Sequence, residues 1–491
     1  MAPESPAARL IPELSRMVGA RFVLSQPSER AAYECDACVL IQAPPDVIVL
    51  PGSSEEAAAV VALCAQHGVP YTPRGAGTGL SGGALAIEGG VLIGMNRLRR
   101  ILAIDVENRT ATIQAGVVNA RLNAALAGSG LFYAPDPSSM SACTLGGNLA
   151  ENAGGIHCVK YGVTTDHVLS LRLVTSDGAL VWTAPPGGCA HRRGGAGLNL
   201  TGLLVGSEGT MGLITEAIVK LTPVAPDIRA YLAAFDAVAC AGEAVSAIIA
   251  DGLAPAALEF MDAFTVRAVN EAFDVGFPEN CQAVLLIELD GTPERATLQE
   301  ARLRTLLQTH GARQIRSAQR DDERAEIWSA RKRSVAAYGR YAPAFFVMDT
   351  VIPPSALVSL LDEIEAIARR HQLLIGNVFH AGDGNLHPNI LFDPSDPDAA
   401  RRVMLGGEEI LKACVAAGGT LSGEHGVGLE KADYMSLVYS PADLARMQAV
   451  RQAVEPSGLA NPGKIFPHRR ACGETAGALA PAALNASGAW I

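Results

Sequence analysis

No stretch of this sequence reaches the roughly 18 uninterrupted apolar residues that a membrane-spanning helix needs. The N-terminus, MAPESPAARLIPELSRMVGARF, lacks the charged region followed by a long apolar run that marks a secretory leader. Both absences predict a soluble, cytoplasmic chain, held at a membrane only through partners. An excess of positive charge is also missing, since 39 Lys and Arg stand against 50 Asp and Glu for a net charge of −11. That balance excludes a general nucleic-acid or membrane-surface binder, which presents surplus Lys and Arg. The ten cysteines include one Cys-x-x-Cys pair, Cys35 and Cys38, and no second pair to complete a tetrahedral metal site. Unpaired thiols in a reducing compartment are expected rather than a disulfide framework. No internal repeat, low-complexity tract or Walker A pattern is present, which leaves little for a nucleotide-binding regulator. The 491 residues predict about two to four domains with ample core.

Glycine, by contrast, is plentiful and clustered. Residues 73–84 read PRGAGTGLSGGA and come directly after an apolar run. Glycines let a backbone turn through positive φ and approach a ligand, and successive N–H groups turned one way make an anion-binding concavity, here read as a pyrophosphate cradle. Gly77, Gly79 and Gly82 spell GxGxxG, but a Rossmann turn must open a helix. Residues 84–95, ALAIEGGVLIGM, read instead as another strand, so NAD is excluded by context. Two further clusters, within residues 133–171 and 203–221, suggest one elongated ligand lying across several loops.

In chain order, residues 9–34 look helical, with Leu10, Leu14 and Met17 at helical spacing. VIVLP (47–51) reads as a buried strand, then a helix capped by Ser53 or Ser54 and ended by Gly68, then the strand GVPYTPR, so that residues 47–83 form a β-α-β unit. Strands are expected at 89–95, 101–107 and 109–117, a short helix at 118–126, and a hairpin at 171–181 turning on Asp177-Gly178. A polar glycine-rich loop occupies 186–198, and TPVAP (222–226) marks a domain boundary. Beyond it, strands at 231–237, 256–262 and 283–291 alternate with helices at 240–251, 293–310 and 355–371, the last placing Leu357, Leu361, Ile364 and Ala368 on one face. This predicts an α+β lobe, an antiparallel sheet covered by helices, and then a loose Ala-rich tail from Cys472.

The second half carries the chemistry. In NVFHAGDGNLHPNI (377–390) a tight turn at AGDGN would bring His380 and His387 onto one side of a hairpin, and SGEHGVGLEK (422–431) offers Glu424 beside His425. Two histidines and a carboxylate suit a divalent cation of zinc or manganese type with positions left open for substrate. His425 would then be free to act as a base near neutral pH. The bland alternative is a set of hydrogen-bonded loop histidines. Arg331, Lys332 and Arg333 come shortly after Trp328 and read as either a solvated helix face or, through Arg331, a two-point carboxylate fork. Arg74 and Lys220 are weaker candidates for the pyrophosphate, and Asp349 reads as structural.

Taken together, PRGAGTGLSGGA, PDPSS, GGNLAENAGG, GSEGTMG, NVFHAGDGNLHP, SGEHGVGLEK and NPGKIFP resemble, in order and spacing over roughly residues 20–467, the FAD-linked 2-hydroxy-acid dehydrogenases, in particular their glycolate-oxidising subunit branch. The resemblance implies the vanillyl-alcohol oxidase or p-cresol methylhydroxylase type of fold. It implies an FAD domain at 1–222 with its core from about 40, an α+β substrate domain at 223–425, a helical section at 426–470 that returns to the flavin, and a tail at 471–491. It further implies that Arg74, Gly75, Ala76, Gly77, Thr78, Gly79, Leu80, Ser81 and Gly82 cradle the pyrophosphate. Pro135, Asp136, Ser138 and Ser139, then Gly146, Gly147, Asn148, Glu151, Asn152, Gly154 and Gly155, then Gly206, Glu208, Gly209, Gly212 and Ile214 would line the rest of the cofactor, with Glu424 and Asn461 also approaching it.

Under the same resemblance His380, His387 and Glu424 are the metal ligands, His425 the base and Arg331 the substrate-carboxylate arginine. Thr78 stands where covalently flavinylated relatives carry histidine, implying non-covalent FAD. Val347-Met348 replaces a lysine found before the matching aspartate in diacid-oxidising members, implying a small substrate. The implied reaction takes glycolate, or another small D-2-hydroxy acid, to the 2-oxo acid by hydride transfer to flavin. Implied partners are a companion FAD-binding subunit and an iron–sulfur subunit, with a homodimer left open. A stand-alone D-lactate or D-2-hydroxyglutarate dehydrogenase and a non-catalytic FAD-binding subunit remain as alternatives.

Overall fold

Ser53 begins the best-signalled helix: its Oγ accepts from Glu56 N at 3.1 Å, and the helix Ser54–His67 closes on Gly68 at φ +62°. The computed structural model that contains it describes residues 5–38, 41–185, 197–273, 276–278 and 280–467. Most of the loop expected at 186–198, and the tail from Cys472, lie outside these residues. The chain divides into two units, Met1–Ala153 with Val163–Pro223 and His425–Ile491, and Gly154–Gly162 with Val224–Glu424. Gly154–Gly162 thus groups with the second unit, and the C-terminal section, expected to return to the flavin, groups with the first.

In the first unit β1 (Val23–Leu24), β2 (Val47–Val49), β3 (Tyr71–Arg74) and β4 (Val91–Gly94) make a sheet ordered β1-β2-β4-β3. The β-α-β unit is present, with β4 parallel to both β2 and β3 and seated between them. β2 and β4 are buried throughout, as strands of a parallel layer must be. The stretch 9–34 is not one helix. The helix Ile11–Val18 stops at Gly19 (φ +90°), β1 pairs with β2, and a second helix, Pro27–Ala31, starts on proline. Met17 is exposed, and Val18 takes the core position beside Leu14.

Further along come β5 (Ile101–Asp105), β6 (Thr110–Gln114), β7 (Leu131–Phe132), β8 (Val168–Val174), β9 (Leu180–Trp182), β10 (Leu213–Lys220) and β11 (Thr222–Pro223). They form an antiparallel sheet ordered β5-β6-β10-β8-β9 and the pair β11-β7. The hairpin β8-β9 turns at Gly178 (φ +81°) as its Asp-Gly signal predicts. The C-terminal section contributes the helix Pro441–Val454 and an extended piece beside β3, where Tyr71 N donates to Leu459 O and Asn461 N to Tyr71 O.

The second unit is built on β12 (Asp227–Phe235), β13 (Ala257–Asp262), β14 (Ala283–Gly291), β15 (Ala312–Ala318), β16 (Ala344–Val347), β17 (Thr350–Val351), β18 (Leu374–His380), β19 (Asn385–Leu386) and β20 (Pro388–Phe392). The sheet runs β15-β12-β14-β13-β18-β19-β17, with β20 pairing β18 and β16, all antiparallel. Its core holds Phe260 stacked on Phe379 at 4.8 Å between ring centroids. The buried strand β14 carries two acids. Glu288 accepts from Trp328 Nε1 at 2.8 Å and meets His157 Nε2 at 3.1 Å, while Asp290 holds Lys160 and Tyr161. These pairs satisfy charges that could not otherwise be buried, and they explain why Gly154–Gly162 belongs to this unit. No disulfide joins the eight cysteines among the described residues, and no helix among those residues is long and apolar enough to cross a membrane.

Candidate functional site

Antiparallel pairing of β18 with β19 and β20 makes the histidine hairpin. Its turn needs Gly384 at φ +75°, where an added Cβ would lie 2.1 Å from Ile352 O. Across it the rings of His380 and His387 stand 5.1 Å apart and 89° to one another. Both Nε2 atoms face one carboxylate oxygen, Glu424 Oε1, at 3.3 and 3.1 Å. One ligand atom from each of the three lies within 4.8 Å of the others. This is an N₂O donor set with both histidines buried and Glu424 partly so, the chemistry a zinc- or manganese-type cation takes.

Each imidazole is turned by a partner on its other nitrogen. His380 Nδ1 lies 2.6 Å from Glu259 Oε1, and His387 Nδ1 lies 3.4 Å from Met348 O with Asp349 Oδ1 at 3.9 Å. An Nδ1–H held this way leaves the Nε2 lone pair for a cation. Burial pushes the Glu424 carboxyl up, but the hydrogen bonds and charge of His380 and His387 prevail and hold it well below the usual carboxylate range. Burial likewise works against a charged His380, and Glu259 and Glu424 overcome it, raising its pKa well above the ordinary imidazole value. A cation would displace that proton.

Asp349 delivers Glu424. Its carboxylate accepts from Ser422 Oγ at 2.5 Å, from Gly423 N at 3.1 Å and from Glu424 N at 3.3 Å. Expected from sequence to be structural, it is the anchor of the ligand loop. Arg331, on the helix Asp321–Ala337, donates through Nε to Glu259 Oε2 at 2.7 Å, and its two terminal nitrogens make no hydrogen bond among the described residues. The solvated-face reading fails for Arg331, whose side chain is 11% exposed, and holds for its exposed neighbours Lys332 and Arg333.

In the first unit the loop after β3 has Gly77 at φ +72° and Gly82 at φ +77°, while a Cβ added to Gly79 would meet nothing within 4 Å. Gly75 packs against Thr144, which caps the helix Leu145–Glu151, and Gly146 against Ala115, each too close for a side chain. Gly206, Glu208, Gly209 and Gly212 all have positive φ. Ser81 Oγ, Asn148 Nδ2 and Glu151 Oε2 on these segments, and Asn461 Oδ1 in the C-terminal section, are buried with no hydrogen-bond partner among the described residues. Buried polar atoms are otherwise paired, so the loops fit a polar ligand of dinucleotide kind.

Residues 45–184 match the FAD binding domain family, and residues 225–465 match the C-terminal domain of FAD linked oxidases. The glycolate oxidase subunit GlcD of Escherichia coli (strain K12) is 43% identical over 92% of this chain and 90% of its own. The chain belongs to the FAD-linked oxidases. A D-lactate dehydrogenase of Anaerostipes hadrus is 32% identical over 86% of this chain and 90% of its own. Among solved structures, p-cresol methylhydroxylase with substrate bound superposes with a TM-score of 0.79 at 16% identity, covering 94% of this chain and 97% of that one. That last likeness supports the fold alone.

Within this FAD-linked oxidase the residues expected at the flavin have the following surroundings. The Arg74 guanidinium donates to the carbonyls of Cys35 (2.7 Å), Ala84 (3.4 Å) and Tyr33 (3.5 Å), which ties the N-terminal segment to the glycine loop. Lys220 is exposed at the end of β10. Glu208 accepts from Val427 N and Gly428 N at 2.7 and 2.8 Å, and burial pushes its carboxyl up to about 7 against those amides. Asn461 Nδ2 donates to Gly83 O and Glu208 O. Gly154 and Gly155 fall in the second unit, where a Cβ on Gly154 would come within 2.5 Å of Glu424 Oε2. Asn152, at φ +58°, accepts from Thr165 N at 2.8 Å. Pro135 O accepts from Asn119 Nδ2 at 3.0 Å and Ser139 O from Cys143 N at 2.8 Å, and Ile214 is buried in β10.

Glu259 is the residue that sequence reading missed. Its signal was a lone acid inside the otherwise apolar AALEFM. Gly384→Ala tests the hairpin: forcing a side chain to positive φ costs about 1–3 kcal/mol before the backbone clash is counted. A lowered melting temperature is expected.

Proposed function

We propose that the chain oxidises glycolate, or another small D-2-hydroxy acid such as D-lactate, to the 2-oxo acid, with non-covalent FAD as electron acceptor and a divalent cation at His380, His387 and Glu424. The observation that carries this reading is the N₂O donor set linked through one carboxylate to a buried arginine. When bound, FAD supplies the two-electron acceptor and the cation supplies Lewis acidity beside the substrate hydroxyl.

The remaining work falls to side chains. The terminal nitrogens of Arg331 bind the substrate carboxylate as a two-point fork, which fixes the acid in one orientation. His425, next in sequence to Glu424, takes the hydroxyl proton on an imidazole nitrogen. The glycine loop around Thr78 holds FAD by backbone amides alone. Val347-Met348, just before Asp349, brings no cation for a second carboxylate, which favours a small acid. The Escherichia coli relative is a subunit, which supports onward electron transfer to companion FAD-binding and iron–sulfur subunits.

An anaerobic visible spectrum before and after glycolate, with D-lactate and D-2-hydroxyglutarate in parallel, tests the reading. Fastest bleaching of the flavin bands by glycolate is expected, and fastest bleaching by D-lactate would move the substrate within the class. Flavin that none of the three acids bleaches would overturn the oxidase reading.

A further inference from the structure

Glu259 sits on β13 directly opposite His380 on β18 in the antiparallel register. Directly opposed residues share a face of the sheet, and a one-residue slip would send the two side chains to opposite faces. The carboxylate is fully buried between Leu258 and Phe260, and each oxygen has its own cationic or donor partner: His380 Nδ1 at 2.6 Å on Oε1 and Arg331 Nε at 2.7 Å on Oε2. A charge in such a place is tolerated only when paired on all sides. The pairing here does more than neutralise. It selects the His380 tautomer that offers Nε2 toward Glu424, and it holds Arg331 by Nε so that the two terminal nitrogens stay available.

We propose that Glu259 is a positioning residue that couples the cation ligand His380 to the substrate arginine Arg331, so that metal affinity and carboxylate binding are set by one buried carboxylate. This rests on the metal and substrate roles given above and adds to them a shared support. Because both partners lean on the same group, damage to it reaches both functions, whereas loss of Arg331 alone reaches one.

The test compares wild type, Glu259→Gln, Arg331→Met and the double variant as FAD-loaded protein. Mn²⁺ and Zn²⁺ affinity is measured by competition with a chelator, alongside KM and kcat for glycolate. Loss of an outer partner of a metal-bound histidine weakens metal binding by roughly 10–100-fold. Glu259→Gln is expected to show that loss together with a raised KM, and Arg331→Met the raised KM with wild-type metal affinity. The double variant, which leaves no unpaired buried cation, is expected to match Glu259→Gln in metal affinity and keeps the comparison open if the single variant misfolds. Wild-type metal affinity in Glu259→Gln, or in the double variant, overturns the coupling while leaving the metal centre intact. A wild-type protein that takes up neither ion overturns the metal centre itself and the coupling with it.

Discussion

His425→Ala is expected to slow flavin reduction by glycolate roughly 10²–10⁴-fold, the usual contribution of a positioned general base, while FAD stays bound. The backbone on both sides of His425 is anchored without its imidazole. Before it, Gly423 N and Glu424 N donate to Asp349. After it, Gly426 has φ +88° and packs against Glu151 and Glu208, and Val427 N and Gly428 N donate to Glu208. Truncation of the ring should therefore leave the backbone of the loop in place and remove the proton acceptor. Stopped-flow absorbance under anaerobic conditions reads the rate, and the flavin spectrum of the resting variant reads cofactor retention. A variant that reduces flavin at the wild-type rate would take His425 out of the role, and a colourless variant would mean that the ring supports the FAD loops instead.

The gathering of His380 and His387 could be read from sequence because the glycine turn that pairs them is local. The turn AGDGN needs Gly384 at positive φ, and a hairpin of that length brings His380 and His387 together whatever surrounds it. The helix Ser54–His67 was equally legible, since cap, acidic first turn and terminal glycine all lie within it. What sequence could not show depends on partners distant in the chain. The insertion of β4 between β2 and β3 is a pairing choice made across the whole sheet. The break in residues 9–34 arises from β1 finding β2, a contact no local periodicity reports. Arg74 shows the same limit at a single residue, because no local pattern reports that its side chain bonds three backbone carbonyls, two of them about 40 residues earlier in the chain. Glu259 lies 121 residues from His380 in sequence and 72 from Arg331, so only the β13-β18 register reveals that one acid serves both.

Glu424→Ala is expected to weaken Mn²⁺ or Zn²⁺ binding by more than the roughly 10–100-fold that a lost outer partner costs. The carboxylate is the one anionic member of the donor set, and its Oε1 lies 3.3 and 3.1 Å from the two Nε2 atoms. Without it two imidazoles remain, one of them already fixed by Glu259, and a dication in a buried site loses its charge balance. The fold should persist, because Asp349 grips the backbone amides of this loop rather than the Glu424 side chain. Glu424→Gln separates charge from shape, since it keeps an oxygen near its present place and removes only the charge. It should fall between wild type and Glu424→Ala. Metal content and chelator competition, read beside an unchanged flavin spectrum, rank the variants, and the order expected is wild type, Glu259→Gln, Glu424→Ala. If Glu424→Ala keeps wild-type affinity, the cation is held by other residues and the pair of histidines is a hydrogen-bonded element of the sheet. If it binds more tightly than Glu259→Gln, charge from β13 governs the site more than the direct ligand does, and Glu259 itself would be the stronger electrostatic anchor.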